Sequence, residues 1–356
     1  MDQNNSPRRP VWRQVVLVIL CVLLALVLAV IIFATTYIHH LLSLVAGGDN
    51  SVLNETLSSE QLASLASDPD HDPNNTLPTI HPSDVPEHTI NSESSENLQT
   101  EEIINIMLIG EDRRSGQRRQ RSDSMILCSF HTQNNTITMI SFLRDTYIPK
   151  IPGYWADKMN AAYAYGGVNC LDETLATYFG VHVDANVVVQ FDGFEAIIDM
   201  LGGVDIELTE KEAEYLNQFP SLYEPNGKVN AGMNHLNGEQ ALAYSRIRKI
   251  DMDAMRAQRQ RKVLTALINA YKSKPVGEML TLASEILQKG YVQTDMSPNE
   301  VLNYISKLFP MLATATINNQ QIPADGTYSS VNVGNVTSTK VCDFEVNRKI
   351  LQKIFQ

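Results

Sequence analysis

Residues Val15 to Ile38 run for 24 positions without a charged side chain, longer than the roughly 20 apolar residues a helix needs to cross a bilayer core. The run predicts a transmembrane signal anchor over 15–38. A cleaved leader is the competing reading, but its apolar part is usually ~7–15 residues long and ends at a small-x-small site. Neither feature is clear here. Arg8, Arg9 and Arg13 precede the run, Trp12 stands at the expected interface, and His39, His40 and an acidic tract follow. Cytoplasmic flanks carry the excess of Lys and Arg. Residues 1–14 are therefore expected as a cytoplasmic tail, with the rest of the chain outside. A function that draws on cytosolic ATP or on nucleic acid is excluded by that topology.

The net charge of −12 is concentrated in one stretch, since residues 47–100 carry ten Asp and Glu and no Lys or Arg. That stretch is rich in Ser, Asn and Pro and poor in aromatics, so it buries too little apolar surface to offset its ordering entropy. Residues 39–100 are expected as a disordered extracytoplasmic stalk. What remains, 101–356, is weakly acidic yet holds twelve arginines, ten of them within 113–121 or 246–261. A guanidinium is a planar, always-charged fork suited to phosphate oxygens. Two such clusters suggest phosphate ligands, against the blander reading of a salt-bridged surface.

From Ile103 the texture changes. Short apolar runs at 103–109, 125–130, 137–142, 186–190 and 204–208 read as strands. Segments at 159–165, 171–179, 194–201, 239–245, 254–271, 298–309 and 344–355 have helical length and spacing. The alternation predicts an α/β domain over 101–356, with a central mixed sheet covered by helices on both faces. Cys128 sits in an apolar run and reads as a small buried hydrophobe. Cys170 and Cys342 remain as an even pair in a compartment where disulfides persist, so a Cys170–Cys342 bridge is a candidate.

Four constellations carry candidate chemistry. Asp112 ends one predicted strand and Asp123 opens the next, a placement that lets two carboxylates share a hard cation such as Mg²⁺; paired turn aspartates are the plainer reading. Arg144 and Asp145 follow the strand 137–142, where a side chain can point into the crevice at the sheet's carboxyl edge or form a surface ion pair. Lys158 starts a helix, where a cation opposes the helix dipole and a ligand phosphate would relieve the clash. The densest is Arg246, Arg248, Arg256, Arg259, Gln260 and Arg261. An extended segment after Ser245 would set Arg246 and Arg248 on one face. On the following helix Arg256 and Gln260 share a face, while Arg259 and Arg261 turn partly away.

Taken in order, Asn105–Asp112, Arg121–Met125, Ser141–Thr146, Lys158–Tyr163, Val189–Phe194, Leu201–Val204, Leu236–Tyr244 and Arg256–Gln260 closely resemble the LytR-CpsA-Psr family over about 103–270. The anchor and stalk also match its layout. Two departures affect a loop's shape and no charged group: Met252 and Met255 where glycine is frequent, and Leu143 where proline is common.

The resemblance implies an enzyme that moves a glycopolymer from a polyprenyl-pyrophosphate carrier to a muramic acid hydroxyl of peptidoglycan. It implies Mg²⁺, with Mn²⁺ as a substitute, at Asp112 and Asp123. Arg144, Arg246, Arg248 and Arg256 would grip the pyrophosphate, Lys158 and Gln260 would add contacts, and Arg144, Asp145, Arg246 and Arg248 would serve catalysis. It also implies an apolar groove for the polyprenyl chain. Val188, Phe191, Phe194, Ile198 and Leu201 read as ordinary packing. Hydrolysis of the same lipid pyrophosphate, or a non-enzymatic envelope sensor or transcriptional attenuator, are the other readings.

Overall fold

The computed structural model describes residues 36–37, 40, 43–44, 50–66, 75–85, 102–111, 113, 119–223, 227–251 and 253–356. The expected span over 15–38 lies outside these apart from Thr36 and Tyr37, and so does Asp112. Among the described residues no helix is long and apolar enough to cross a membrane.

Three apolar runs become the centre of a sheet. Strands β1 (Ile103–Glu111), β2 (Ser122–His131) and β3 (Thr136–Phe142) form an antiparallel meander. Strand β4 (Ala185–Gln190) lies parallel to β1. Two strands with no apolar run in the sequence complete it: β5 (Val292–Thr294) against β4, and β6 (Thr316–Ile322) parallel to β3. The order is β5-β4-β1-β2-β3-β6, a mixed sheet.

Helices cover both faces: α1 (Met159–Phe179), α2 (Phe191–Leu201), α3 (Gly238–Ser245), α4 (Asp253–Lys272), α5 (Val276–Gln288), α6 (Pro298–Thr314) and α7 (Phe344–Ile354). Side chains alternate along a strand, so Met107, Ile109, Met125, Leu127, Ile140 and Phe142 face α1 and α7. Ile104, Ile126, Cys128, Phe130, Ile137 and Met139 face the other way, onto Leu308 and Met311 of α6 and Leu264 of α4. The two expected helices 159–165 and 171–179 are one run broken at Gly167, whose φ of 73° and ψ of −159° are not helical.

A third apolar cluster joins α2, α3, α4 and the hairpin Val204–Leu208/Gly232–Leu236. Helix α3 is seated by its own sequence. Asn237 caps it in a reciprocal box with Gln240, and a Cβ at Gly238 would stand 2.2 Å from the Glu195 carbonyl oxygen. Only glycine lets α3 approach the α2 backbone so closely.

The stretch expected to be a disordered stalk departs from that expectation in two places. Leu53 and Leu57 are buried, and Leu53 joins the core beside α1. A Cβ at Gly167 would lie 1.9 Å from the Leu53 carbonyl oxygen. The Arg119 guanidinium donates to the carbonyls of Val52 at 2.8 Å, Glu55 at 3.0 Å, Ala164 at 3.2 Å and Tyr165 at 3.1 Å. Downstream, Thr79–Ile80 pairs parallel with Asn332–Val333. Average composition over the stretch hides these few apolar anchors, and one arginine supplies donors that no stalk residue could.

The cysteine pairing is also corrected: Cys128, Cys170 and Cys342 are free thiols. Cys170 faces the Pro152 carbonyl oxygen at 3.6 Å. Cys170 and Cys342 are each packed among apolar side chains, where burial pushes both thiols up to about 12. They behave as small core residues.

Candidate active site

Strands β1, β3 and β4 end at the edge where β2 begins. The register that pairs Ile126 with Ser141 carries on to bring Asp123, at the start of β2, opposite Arg144, just past β3. Arg144 Nη1 lies 3.0 Å from Asp123 Oδ1. Two groups from the other layer meet the same oxygen: Arg248 Nη2 at 2.9 Å and Arg256 Nη1 at 3.9 Å. Gln260, one turn beyond Arg256 on α4, donates its Nε2 to the Asp123 carbonyl oxygen at 3.5 Å.

Behind this cluster stands a second carboxylate. Asp145 lies 3.8 Å from Arg144 Nε and 3.5 Å from Lys158 Nζ, and its carbonyl accepts from the Lys340 backbone N–H at 2.8 Å. Burial pushes the Asp145 carboxyl up, but Arg144, Lys158, Arg256 and Lys340 outweigh burial and hold it below the usual carboxylate range. Lys158 stands at the residue before α1, with no capping side-chain bond, and is buried rather than solvated. Lys340 comes from the strand Val336–Cys342, and no motif in the C-terminal sequence marks it.

Arg246 and Arg248 are not on an extended segment. Arg246 closes α3 with φ −103° and ψ 0°, and Ile247 is fully buried between the two. Both arginines nonetheless line one cavity, and Arg246 lies over the Phe191 ring, 4.4 Å from its centroid. That contact orients the guanidinium through the ring quadrupole.

The cavity encloses about 990 Å³ including its open mouth. Its polar end carries Asp123, Arg246, Arg248, Arg256 and Gln260; its walls are Leu108, Ile126, Val189, Phe191, Phe194, Ile197, Leu242, Leu264 and Leu267. Val188, Ile198 and Leu201 are packing, as expected, but Phe191 and Phe194 face the cavity. A sequence signal for this existed. On α4, Arg256, Gln260, Leu264 and Leu267 recur at spacings of four, four and three, so the helix face with phosphate-type groups continues into leucines.

Arg113, Arg121 and Arg259, in the same two clusters, are instead held by carboxylates. Arg121 chelates Asp157 at 2.8 and 3.3 Å and donates to the Leu65 carbonyl. Arg259 meets both oxygens of Asp251 at 2.7 Å, Glu212 at 3.4 Å and the Ile247 carbonyl at 2.7 Å. Arg113 Nε lies 3.3 Å from Glu111 Oε2, which also accepts from the Tyr163 hydroxyl at 3.1 Å. Glu111, buried, thus holds Arg113 and also accepts from the Gln120 backbone N–H. Arginine density alone does not separate these roles, because it does not say which carboxylate each guanidinium meets once the chain has folded.

A mixed α/β domain whose apolar cavity opens onto a guanidinium cluster defines a protein for ligands with an anionic head and a long apolar tail. The sequence profile of the LytR_cpsA_psr family matches residues 74–353, and the chain belongs to that family. It is 31% identical over 256 residues to the polyisoprenyl-teichoic acid–peptidoglycan teichoic acid transferase TagU of Bacillus cereus, covering 71% of this chain and 79% of that one. Among solved structures it resembles B. subtilis TagT, with a TM-score of 0.56 at 26% identity over 72% of this chain and 90% of the other. It also resembles the LytR-CPS2A-psr family protein YwtF (TagT) with bound octaprenyl pyrophosphate lipid, with a TM-score of 0.53, 25% identity and the same coverage.

Proposed function

We propose that this chain transfers a glycopolymer from a polyprenyl-pyrophosphate carrier to a muramic acid hydroxyl of peptidoglycan, releasing polyprenyl phosphate. The observation that carries this reading is the union of an apolar cavity with Arg246, Arg248, Arg256 and Gln260 at one end. A polyprenyl chain fills the apolar walls, and its pyrophosphate takes over the guanidiniums that now surround Asp123. The anchor over 15–38 holds the domain outside the membrane where that lipid-linked donor is presented.

The hydroxyl oxygen attacks the sugar-side phosphorus. A new phosphorus–oxygen bond forms, the bond to the bridging oxygen breaks, the electron pair leaves with the polyprenyl phosphate, and the hydroxyl proton passes to solvent. The reaction needs no ATP because the pyrophosphate already stores the free energy. Negative charge grows on the departing phosphate, and guanidiniums fixed beforehand stabilise it without reorganisation.

Asp145, held ionised by the cations around it, is a weak base; its role is to fix Arg144 and Lys158. Asp123 supplies the oxygen donor type that Mg²⁺ prefers at the polar end of the cavity, and with Asp112 it would hold that ion. Bound there, Mg²⁺ or Mn²⁺ supplies charge neutralisation at the pyrophosphate oxygens.

The test is incubation of the detergent-solubilised full chain with a polyprenyl-pyrophosphoryl oligosaccharide and peptidoglycan strands, with and without Mg²⁺, followed by mass spectrometry. Glycan joined to peptidoglycan through a phosphodiester, dependent on Mg²⁺, is the expected product. Free phosphorylated glycan in place of the conjugate would make the chain a hydrolase. Intact substrate despite measured binding would make it a sensor.

A further inference from the structure

Helix α4 has a second, polar flank. Gln258, Arg261, Lys262, Thr265, Ala266 and Asn269 line a pocket of about 820 Å³, closed by Asp205, Ile206 and Glu207 of the hairpin strand and by Asn319 of β6. Gln260 and Arg261 are adjacent in sequence, yet one lines the donor cavity and the other this pocket.

Arg261 forms the floor. It is 9% exposed, its Nη1 donates to Ser141 Oγ at 2.6 Å, and its buried Nε has no hydrogen-bond partner among the described residues. No carboxylate among the described residues pairs with it, unlike buried Arg121 and Arg259. A buried guanidinium is normally matched by an anion. Burial alone lowers its pKa, with no opposing charge to restore it. Ser141 is three residues before Arg144, so the floor of this pocket hangs from the strand that delivers the catalytic arginine.

The rim selects among anions. Asp205 and Glu207 repel a polyanion, although Asp205 is engaged by His235 Nδ1 at 2.7 Å and Lys262 Nζ lies 3.4 Å from the Glu207 carbonyl oxygen. Gln258, Asn269 and Asn319 offer amides, which donate to and accept from peptide groups. One buried cation under amide walls, with Lys262 set against two carboxylates at the rim, suits one carboxylate on a peptide that also carries an ammonium. It does not suit a run of phosphodiesters.

We propose that this pocket is an acceptor subsite, in which Arg261 binds a carboxylate of the short peptide carried by the peptidoglycan strand. The assignment rests on peptidoglycan being the acceptor, and it places that strand across α4 from the donor lipid.

Calorimetric titration of the detergent-solubilised full chain tests it with three probes: a soluble muropeptide with a free peptide carboxylate, a glycerol phosphate oligomer, and geranyl pyrophosphate. Arg261→Gln is expected to weaken muropeptide binding about 10-fold or more, the usual effect of deleting a charged hydrogen-bond donor, and to leave geranyl pyrophosphate binding unchanged. Exposed Asn319→Asp, which brings a like charge to the carboxylate, should weaken muropeptide binding as well; it decides the matter if Arg261→Gln does not fold. Muropeptide affinity unchanged in the folded variants, or no muropeptide binding by the wild type, overturns the subsite. A loss confined to the glycerol phosphate oligomer also overturns it, by assigning the pocket to the donor polymer. Failure of geranyl pyrophosphate to bind the wild type would instead count against the donor site.

Discussion

Arg248 Nη2 stands 2.9 Å from Asp123 Oδ1, the same carboxylate oxygen that Arg144 Nη1 approaches at 3.0 Å. One carboxylate thereby gathers guanidiniums from the strand exit after β3 and from the loop between α3 and α4. Asp123 offsets part of their charge, and an entering pyrophosphate meets an arginine cluster already assembled.

Arg248→Ala is therefore expected to lower the transfer rate by ~10²–10³, the typical effect of removing one pre-placed donor to developing charge. The Arg248 side chain is 37% exposed, so its loss should change stability by only about 0.5 kcal/mol. Transfer kinetics alongside thermal melting checks both; a variant with full activity would remove Arg248 from the site.

Arg259→Ala should behave in the opposite way. Its guanidinium is buried between Asp251, Glu212 and the Ile247 carbonyl. Asp251 is exposed and can be solvated, but buried Glu212 would be left uncompensated, and breaking a buried ion pair destabilises by about 3–5 kcal/mol. Urea denaturation is expected to show that loss. Wild-type stability in the variant would mean that the bridge is not structural.

Leu267→Asn separates the two ends of the cavity. Leu267 belongs to its apolar wall, away from the guanidiniums. Binding of a long-chain polyprenyl pyrophosphate should weaken about 10-fold, since a buried amide without partners costs about 1–3 kcal/mol, whereas inorganic pyrophosphate should bind as before. Competition titrations with the two ligands measure the difference; equal losses for both would contradict the division.

Asp172 sets a pH dependence of stability. Burial pushes its carboxyl up to about 7, Asn186 partly offsets that by donating a hydrogen bond, and the charge of Asp295 adds to it. The folded state keeps the proton between the usual value near ~3.9 and about 7. This contribution to stability is therefore fully present below about pH 4 and is lost as pH rises through about 7. Asp172→Asn should remove that slope and make the protein more stable than wild type at pH 8 by about 1 kcal/mol or more, with a smaller difference at pH 5. Urea midpoints at the two pH values check the sign.

Much of this protein follows from local sequence. The runs 103–109, 125–130 and 137–142 have no soluble use except as strands buried on both faces, and they became β1, β2 and β3. Arg144 at a strand exit and Arg256 with Gln260 at helical spacing could be singled out locally, whereas Arg246 and Arg248, expected on one extended segment, stand instead at the end of α3, and the pyrophosphate role of all five came from the family resemblance. Strand β6, Thr-Ile-Asn-Asn-Gln-Gln-Ile, was not legible: an edge strand needs a partner's backbone, not an apolar run, and only β3 supplied it. Tertiary structure alone decided which arginines line the cavity, because Asp157 and Asp251 claim Arg121 and Arg259. It likewise turned Phe191 and Phe194 from packing into cavity wall and docked Leu53 onto Gly167. Each of these outcomes depends on which group lies opposite in space, and sequence spacing carries no record of that once the chain has turned.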